Sequence, residues 1–273
     1  MQGSVHQALT LTVSGNAFLQ RREIGPFWPE NDAFVFCREV RFVKEGPSTP
    51  LVVAADPEVW LKQLAEKRAG LKFHLVPRNG PRISDMMAVG FANGGARLLI
   101  EAIVPDQAAT CWEGHWELTD DPQDSAPDRR IWSVTYSCLP SLFLPQWPAE
   151  RSLVEIEADL AGILEALADF VERAAPEEAM PGWIDNFRSA RSTLEQKSEW
   201  RRSDPSPAGF LSSAALRLLH AAQAGWVFGG MGAWNDGAYW GSAEAEGDRL
   251  SEALFALLNE AVPAVANSSF RAG

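Results

Sequence analysis

The character of the sequence changes near residue 150, and this change limits the folds open to the chain. Residues 1–150 carry short runs with strand-like composition, whereas residues 151–273 form successive apolar-periodic segments typical of helices. The strand-like runs do not alternate regularly with helices, as a doubly wound fold requires. We therefore predict an α+β fold, in which a mostly antiparallel sheet in the N-terminal half packs with a C-terminal bundle of about four helices, as two domains or as a single one.

The N-terminal region contains eight runs that predict strands and one segment that predicts a helix. The helix covers residues 57–67, because Asp56 is suited to cap it and Gly70 follows it as a stop. The Asn-Gly-Gly sequence at residues 93–95 tolerates positive φ angles, so it predicts a tight hairpin between the fifth and sixth runs. The strand runs are residues 9–13, 34–43, 51–54, 71–76, 87–92, 96–103, 112–118 and 131–137.

The C-terminal region predicts four helices. The first begins at Ser152, where Glu155 three residues later completes a capping box ahead of a long apolar stripe. The last ends at residue 262, because Pro263 is expected to lie beyond a helix rather than inside it. The three later helices are predicted over residues 181–202, 207–225 and 244–262.

The chain is acidic, with a formal net charge of −12 and a pI of about 4.8. Nucleic-acid binding needs a basic stripe that releases counterions from phosphates, so we expect no nucleic-acid partner. An acidic surface suits a basic protein partner or a small polar ligand, although it also serves solubility alone.

The cysteines and the apolar runs bear on the cell compartment. Cys37, Cys111 and Cys138 are widely spaced and odd in number, which argues against a disulfide framework or a closed zinc site. The start of the chain lacks the pattern of a secretory leader, and no run approaches the roughly 20 apolar residues that span a bilayer. We expect a cytoplasmic, bacterial-type protein that binds no membrane.

A glycine-dense segment at residues 229–237 carries the most specific local pattern of the chain. Closely spaced glycines indicate positive φ angles or a close backbone approach, so the segment predicts a constrained loop that presents a ligand or partner site. The alternative is an interhelix turn whose tryptophans fill the core. The candidate binding residues are Trp226, Gly229, Gly230, Gly232, Trp234, Asn235, Asp236, Tyr239 and Trp240.

Alternation in the run at residues 111–117 suggests a second candidate site. Side chains of a strand point to opposite faces in turn, so Cys111, Glu113 and His115 share one face and are weak candidates for metal ligands. A solvated outer face of the sheet is the alternative. Cys138 is expected on the opposite, apolar face, which disfavours a disulfide to Cys111.

Two aromatic and proline-rich segments, residues 27–29 and 144–148, predict loops in which an aromatic side chain stands beside a fixed backbone. Such loops line clefts or cover sheet edges. Covering an edge is the commoner use, because an uncovered strand edge invites aggregation.

Three functions remain open from the sequence, and whether the protein is an enzyme is uncertain. The leading hypothesis is a binding or regulatory protein, such as an inhibitor or immunity-like factor for a basic protein partner, without a cofactor. The first alternative is a hydrolase with a Trp-lined polar pocket at residues 226–240 and His220 and Asp236 as catalytic candidates, although no Gly-x-Ser-x-Gly elbow is present. The second is a metal-binding protein that uses the strand at residues 111–117.

Overall fold

The fold comes from a computed structural model that describes residues 1–78, 83–119, 130–140, 147, 149–174, 181–195, 206–230, 233–234 and 243–271. Within these ranges the protein contains six strands and seven α-helices. The strands are β1 (Cys37–Lys44), β2 (Leu51–Ala54), β3 (Gly70–Val76), β4 (Arg97–Ile103), β5 (Thr110–Leu118) and β6 (Trp132–Leu139). The helices are α1 (Gly3–Leu19), α2 (Pro57–Glu66), α3 (Asp85–Ala88), α4 (Leu153–Ala174), α5 (Pro181–Leu194), α6 (Ser213–Ala224) and α7 (Glu244–Asn267).

The strands form one sheet in the order β2-β1-β6-β5-β4-β3. Neighbours in this sheet run antiparallel, except that β1 and β6 are parallel. Helices α4 to α7 follow the last strand. The predicted α+β fold, with a mostly antiparallel sheet followed by four C-terminal helices, is therefore confirmed. Because β3 is an edge strand, one row of its backbone groups points away from β4.

Helix α1 replaces the strand that was predicted over residues 9–13. Every residue from 7 to 17 is buried, so the helix has no solvated face. Its Leu-Thr-Leu-Thr-Val run imitates the alternation of a strand, but Thr12 Oγ1 donates to the Ala8 carbonyl at 2.8 Å and stays satisfied inside a helix. A helix that is buried all round lacks the 3.6-residue amphipathic period, which explains the wrong prediction.

The strand predicted over residues 87–92 is also wrong, because this region begins with the short helix α3, which Ser84 caps. Asn93 and Gly95 have φ angles of 58° and 78°, as their residue types suggested. They lead from a helical turn into β4 rather than forming a hairpin between two strands. The Asn93 side chain holds this turn against β5, since it bonds both the amide and the carbonyl of Trp116 at 2.7 and 2.8 Å.

Local capping signals located several helices correctly. The Asp56 carboxylate accepts from the amide of Val59 at 2.8 Å and begins α2 at residue 57. Ser152 and Glu155 form the predicted box, in which the Glu155 carboxylate accepts from the Ser152 amide at 2.9 Å. By contrast, α6 begins at residue 213 behind Ser212 rather than near residue 207, because Ser212 supplies the capping oxygen.

Helix α7 continues through Pro263 to Asn267, five residues beyond its predicted end at residue 262. A proline inside a helix removes one backbone hydrogen bond and costs about 3 kcal/mol. Here two of the residues that follow it, Val265 and Ala266, are fully inaccessible, and Asn267 bonds to β3. Tertiary contacts of this last turn offset the penalty.

The two faces of the sheet differ in chemistry. On the face that α1 and α2 cover, the Phe42 ring stacks between Trp60 of α2 and Tyr136, at centroid distances of 4.2 and 5.1 Å. On the opposite face, alternate positions carry polar side chains, among them Glu101 and Glu113. The apolar core therefore lies under α1 and α2. No helix in the described ranges has both the length and the apolar character needed to cross a bilayer.

Candidate functional site

A groove of about 950 Å³ lies between β3 and α7, and we call it the β3–α7 groove. Its floor and first wall come from β3, including Lys72, His74 and Leu75, with Trp147 and the start of α4 beside them. Its second wall is one stripe of α7 that repeats at the three- and four-residue spacing of a helix face. The stripe consists of Glu252, Phe255, Ala256, Asn259, Glu260, Pro263, Ala264 and Asn267.

Two asparagines bond to the free edge of β3, and one of them, Asn267, also lines the groove. The Asn16 side chain accepts from the Leu71 amide at 2.8 Å and donates to the Leu71 carbonyl at 2.9 Å. The Asn267 side chain does the same for Phe73, at 2.7 and 3.1 Å. Each side-chain amide thus takes the place of one residue of a neighbouring strand and protects the edge at Leu71 and Phe73.

Leu75 is the next residue in this outward row. Leu71, Phe73 and Leu75 occupy equivalent positions opposite β4, so the Leu75 amide and carbonyl point away from β4 as those of Phe73 do. The described part of the chain supplies no partner for either group, and Leu75 lines the groove. Across the groove, the Asn259 carbonyl receives no helical hydrogen bond, because Pro263 has no amide hydrogen.

His74, Glu101 and Trp147 form a cluster at the base of the groove, which we call the His74 cluster. His74 Nε2 lies 3.0 Å from Glu101 Oε2, and the side chains are only 11% and 14% exposed. The Trp147 ring stacks on the imidazole with 3.7 Å between centroids and 7° between planes. Burial alone would raise the pKa of Glu101, but hydrogen bonds from His74 and Trp147 and the charges of His74 and Lys72 hold it below its usual value.

The groove carries more carboxylates than cations. Its two cations are paired, Lys72 with Glu150 at 2.6 Å and Arg151 with Glu260 at 3.0 Å. No cationic partner faces Glu252 within the described ranges. The five carboxylates that line the groove are Asp85, Glu101, Glu150, Glu252 and Glu260. Two cations against five carboxylates give the lining, with His74 left out of the sum, a formal charge of −3, which favours a cationic occupant.

The glycine-rich loop lies behind this groove as far as the structure describes it. Gly229 has a φ of 84°, and a Cβ there would lie 3.1 Å from the Val89 carbonyl oxygen, so this position requires glycine. Trp226 and Phe228 are buried and meet Phe255 edge to face. Because Phe255 also lines the groove, this part of the loop supports the groove wall.

Trp234, the predicted centre of the loop site, is 2% exposed. Its indole N–H donates to Ser251 Oγ of α7 at 2.6 Å, and its ring meets Trp183 and Phe187 of α5 edge to face. At Gly230 an added Cβ would meet no atom within 4 Å. The other predicted loop residues, Gly232, Asn235, Asp236, Tyr239 and Trp240, lie outside the described residues, so a ligand role for the loop stays a prediction.

The catalytic candidates are not brought together in the described residues. His220 lies partly buried on α6, whereas Asp236 falls outside the described ranges. The hydrolase alternative therefore stays a prediction.

The strand at residues 111–117 is β5, and its side chains alternate as predicted. Cys111 is fully buried, and burial raises the pKa of its thiol to about 12. Glu113 accepts two hydrogen bonds from Arg97, at 2.8 and 2.7 Å. His115 lies 3.4 Å from Glu117. Among the described residues no group of three potential ligands is placed to hold a metal ion, so these contacts give no support to the metal-binding alternative.

Sequence reasoning did not select the residues that build the groove. His74 and Glu101 lie on different strands and come together only through the diagonal register of β3 and β4. Trp147 was noted in a segment suited to line a cleft, and its ring does line the groove. Partners for these side chains could not be assigned from local pattern. No family model, curated protein or solved structure matches the chain.

Proposed function

We propose that this protein is a binding or regulatory protein whose β3–α7 groove receives a basic, extended segment of a partner protein. The observation that carries the proposal is the shape and charge of the groove. A full face of α7 and the free edge of β3 form its two walls, and its carboxylates outnumber its cations. A long, acidic, partly apolar groove is suited to a peptide more than to a compact ligand.

The length of the groove matches a short peptide. Glu252 and Asn267 lie 15 positions apart on α7, which corresponds to roughly 22 Å along a helix. An extended chain rises by about 3.3 Å per residue, so the groove has room for about six or seven residues.

The composition of the walls favours lysine or arginine in that segment. Leu75, Ala256 and Ala264 offer apolar surface to the aliphatic part of a long side chain, while Glu252, which has no cationic partner among the described residues, offers a carboxylate to its charged end. Long basic side chains bind in this divided way, with the stem on apolar surface and the cation beside an acid.

A charge-reversal series of peptides tests the proposal. Labelled hexapeptides of randomised sequence, half enriched in arginine and half in glutamate, are titrated with the protein and followed by fluorescence anisotropy. We expect the arginine-rich set to bind, and Glu252→Gln to weaken that binding severalfold.

The matched control removes the same charge elsewhere. Asp169 is exposed on α4 outside the groove, so Asp169→Asn should leave the affinity unchanged. Equal binding of both peptide sets, or equal loss in both variants, would contradict a groove that selects basic segments.

A further inference from the structure

The free edge of β3 offers one more place for a hydrogen-bonded neighbour than the described residues fill. Asn16 and Asn267 satisfy Leu71 and Phe73, each with one donor and one acceptor. Leu75 repeats the same backbone geometry two residues further along and lines the groove. We propose that the occupant binds as a short added strand with one residue paired to Leu75, an inference that rests on the proposed function.

The register of this added strand is set from both ends. On one side, the Asn267 side chain already fills the position opposite Phe73. On the other side, the next outward position is Pro77, which has no amide hydrogen to donate. Among the described residues this edge therefore presents a single pair of groups, the Leu75 amide and carbonyl, and one residue of the occupant exchanges two hydrogen bonds with them.

This register determines which side chains of the occupant meet which face. A residue directly opposite Leu75 places its side chain on the face shared by Leu71, Phe73 and Leu75, which is apolar. Its two neighbours place theirs on the opposite face, which carries His74 and Val76, in a groove whose lining has a formal charge of −3. The recognised pattern is therefore an apolar residue with a basic residue on each side.

The order of the β3 edge explains how a strand pairing of only one residue can still bind selectively. Because two asparagine side chains anchor β3 to α1 and α7, its backbone is already ordered before a partner arrives. An ordered edge lowers the entropic cost of strand addition, and the alternating side chains supply the selectivity.

Backbone methylation separates strand addition from charge attraction. The probe is a capped, labelled heptapeptide with valine at its centre, arginine on both sides and serine elsewhere. N-methylation of the central valine removes its N–H donor and keeps every charge, so we expect affinity to fall about tenfold. N-methylation of the first serine is the matched control and should leave affinity unchanged.

Amide exchange locates the contact. In the complex with the unmethylated heptapeptide, hydrogen exchange at the Leu75 amide should slow, whereas the His74 amide, which points toward β4, should exchange as before.

The outcomes separate the two proposals. If both methylated peptides bind as well as the parent and Glu252→Gln still weakens them, strand addition is overturned and the acidic groove remains. If neither this heptapeptide nor the arginine-rich set binds in a Glu252-dependent way, the proposed function is overturned together with the inference.

Discussion

The glycine-rich loop and the β3–α7 groove show opposite relations between sequence and site. The loop carries the most distinctive local pattern of the chain, yet its described aromatic residues Trp226, Phe228 and Trp234 are buried in the core. The groove has no local motif, yet it collects carboxylates, an open strand edge and a helix face. A dense local pattern therefore reports what the backbone and core demand there, while a site can assemble from segments that each look ordinary.

The largest expected effect concerns the core role of the loop. Trp234→Ala should lower the free energy of unfolding by about 3–5 kcal/mol, because it removes a large buried ring and leaves Ser251 without its indole donor. Urea unfolding followed by circular dichroism measures the loss. Trp147→Ala is the counterpart in the groove and should cost far less stability, since its ring is only partly buried. Equal losses of unfolding free energy in the two variants would contradict the claim that the loop tryptophan belongs to the core and the groove tryptophan does not.

The next effect concerns the protected edge of β3. Asn267→Ala removes two hydrogen bonds to Phe73 and leaves the Phe73 amide and carbonyl unsatisfied. The free energy of unfolding should therefore fall by about 2–3 kcal/mol. Hydrogen exchange at the Phe73 amide should accelerate in the same variant. Asn267→Asp keeps the acceptor and loses the donor, so its free energy of unfolding should lie between those of wild type and Asn267→Ala. An unchanged Phe73 exchange rate would contradict the role of Asn267 as a strand substitute.

Alanine substitutions at two neighbouring glycines test whether the backbone conformation of the loop requires glycine at residue 229. Gly229→Ala should destabilise the protein by about 1–2 kcal/mol, because alanine is strained at a φ of 84° and its Cβ would crowd the Val89 carbonyl. Gly230 has no positive φ, and a Cβ added there would meet no atom within 4 Å, so Gly230→Ala should change stability by less than about 0.5 kcal/mol. Thermal unfolding of both variants checks the difference, and similar melting shifts would refute it.

The smallest effect is a pH dependence from the His74 cluster. The pKa of Glu101 is lower in the folded protein than its ordinary value of 4.5, so the ionised carboxylate stabilises the fold above that value. This contribution is lost as the pH falls through the folded pKa. Urea unfolding from neutral pH to below pH 4.5 should show a steeper loss in wild type than in Glu101→Gln. Parallel pH profiles would mean that the His74 contact adds no stability.

Much of the fold could be predicted from the sequence, while little of the groove could. Strand β2 and the start of α2 match their predicted positions, because composition and capping act over a few residues. The predictions failed at α1, which is buried on all sides, and at α3, which has only four residues. Neither helix shows the 3.6-residue hydrophobic period by which a helix is predicted. The site residues escaped prediction because His74 and Glu101 are 27 positions apart and meet through strand register.

The sequence by itself determined the features that depend on neighbouring residues. Asp56 and Ser152 mark where helices begin, and Gly229 marks a backbone that only glycine adopts without strain. The tertiary structure alone decided that residues 9–13 are helical, that α7 passes through Pro263, and that its face closes a groove against β3. These outcomes depend on contacts between distant residues, such as Asn267 with Phe73, which are 194 positions apart. Such contacts outweigh the local helix or strand propensity, and they leave no periodic pattern in the sequence.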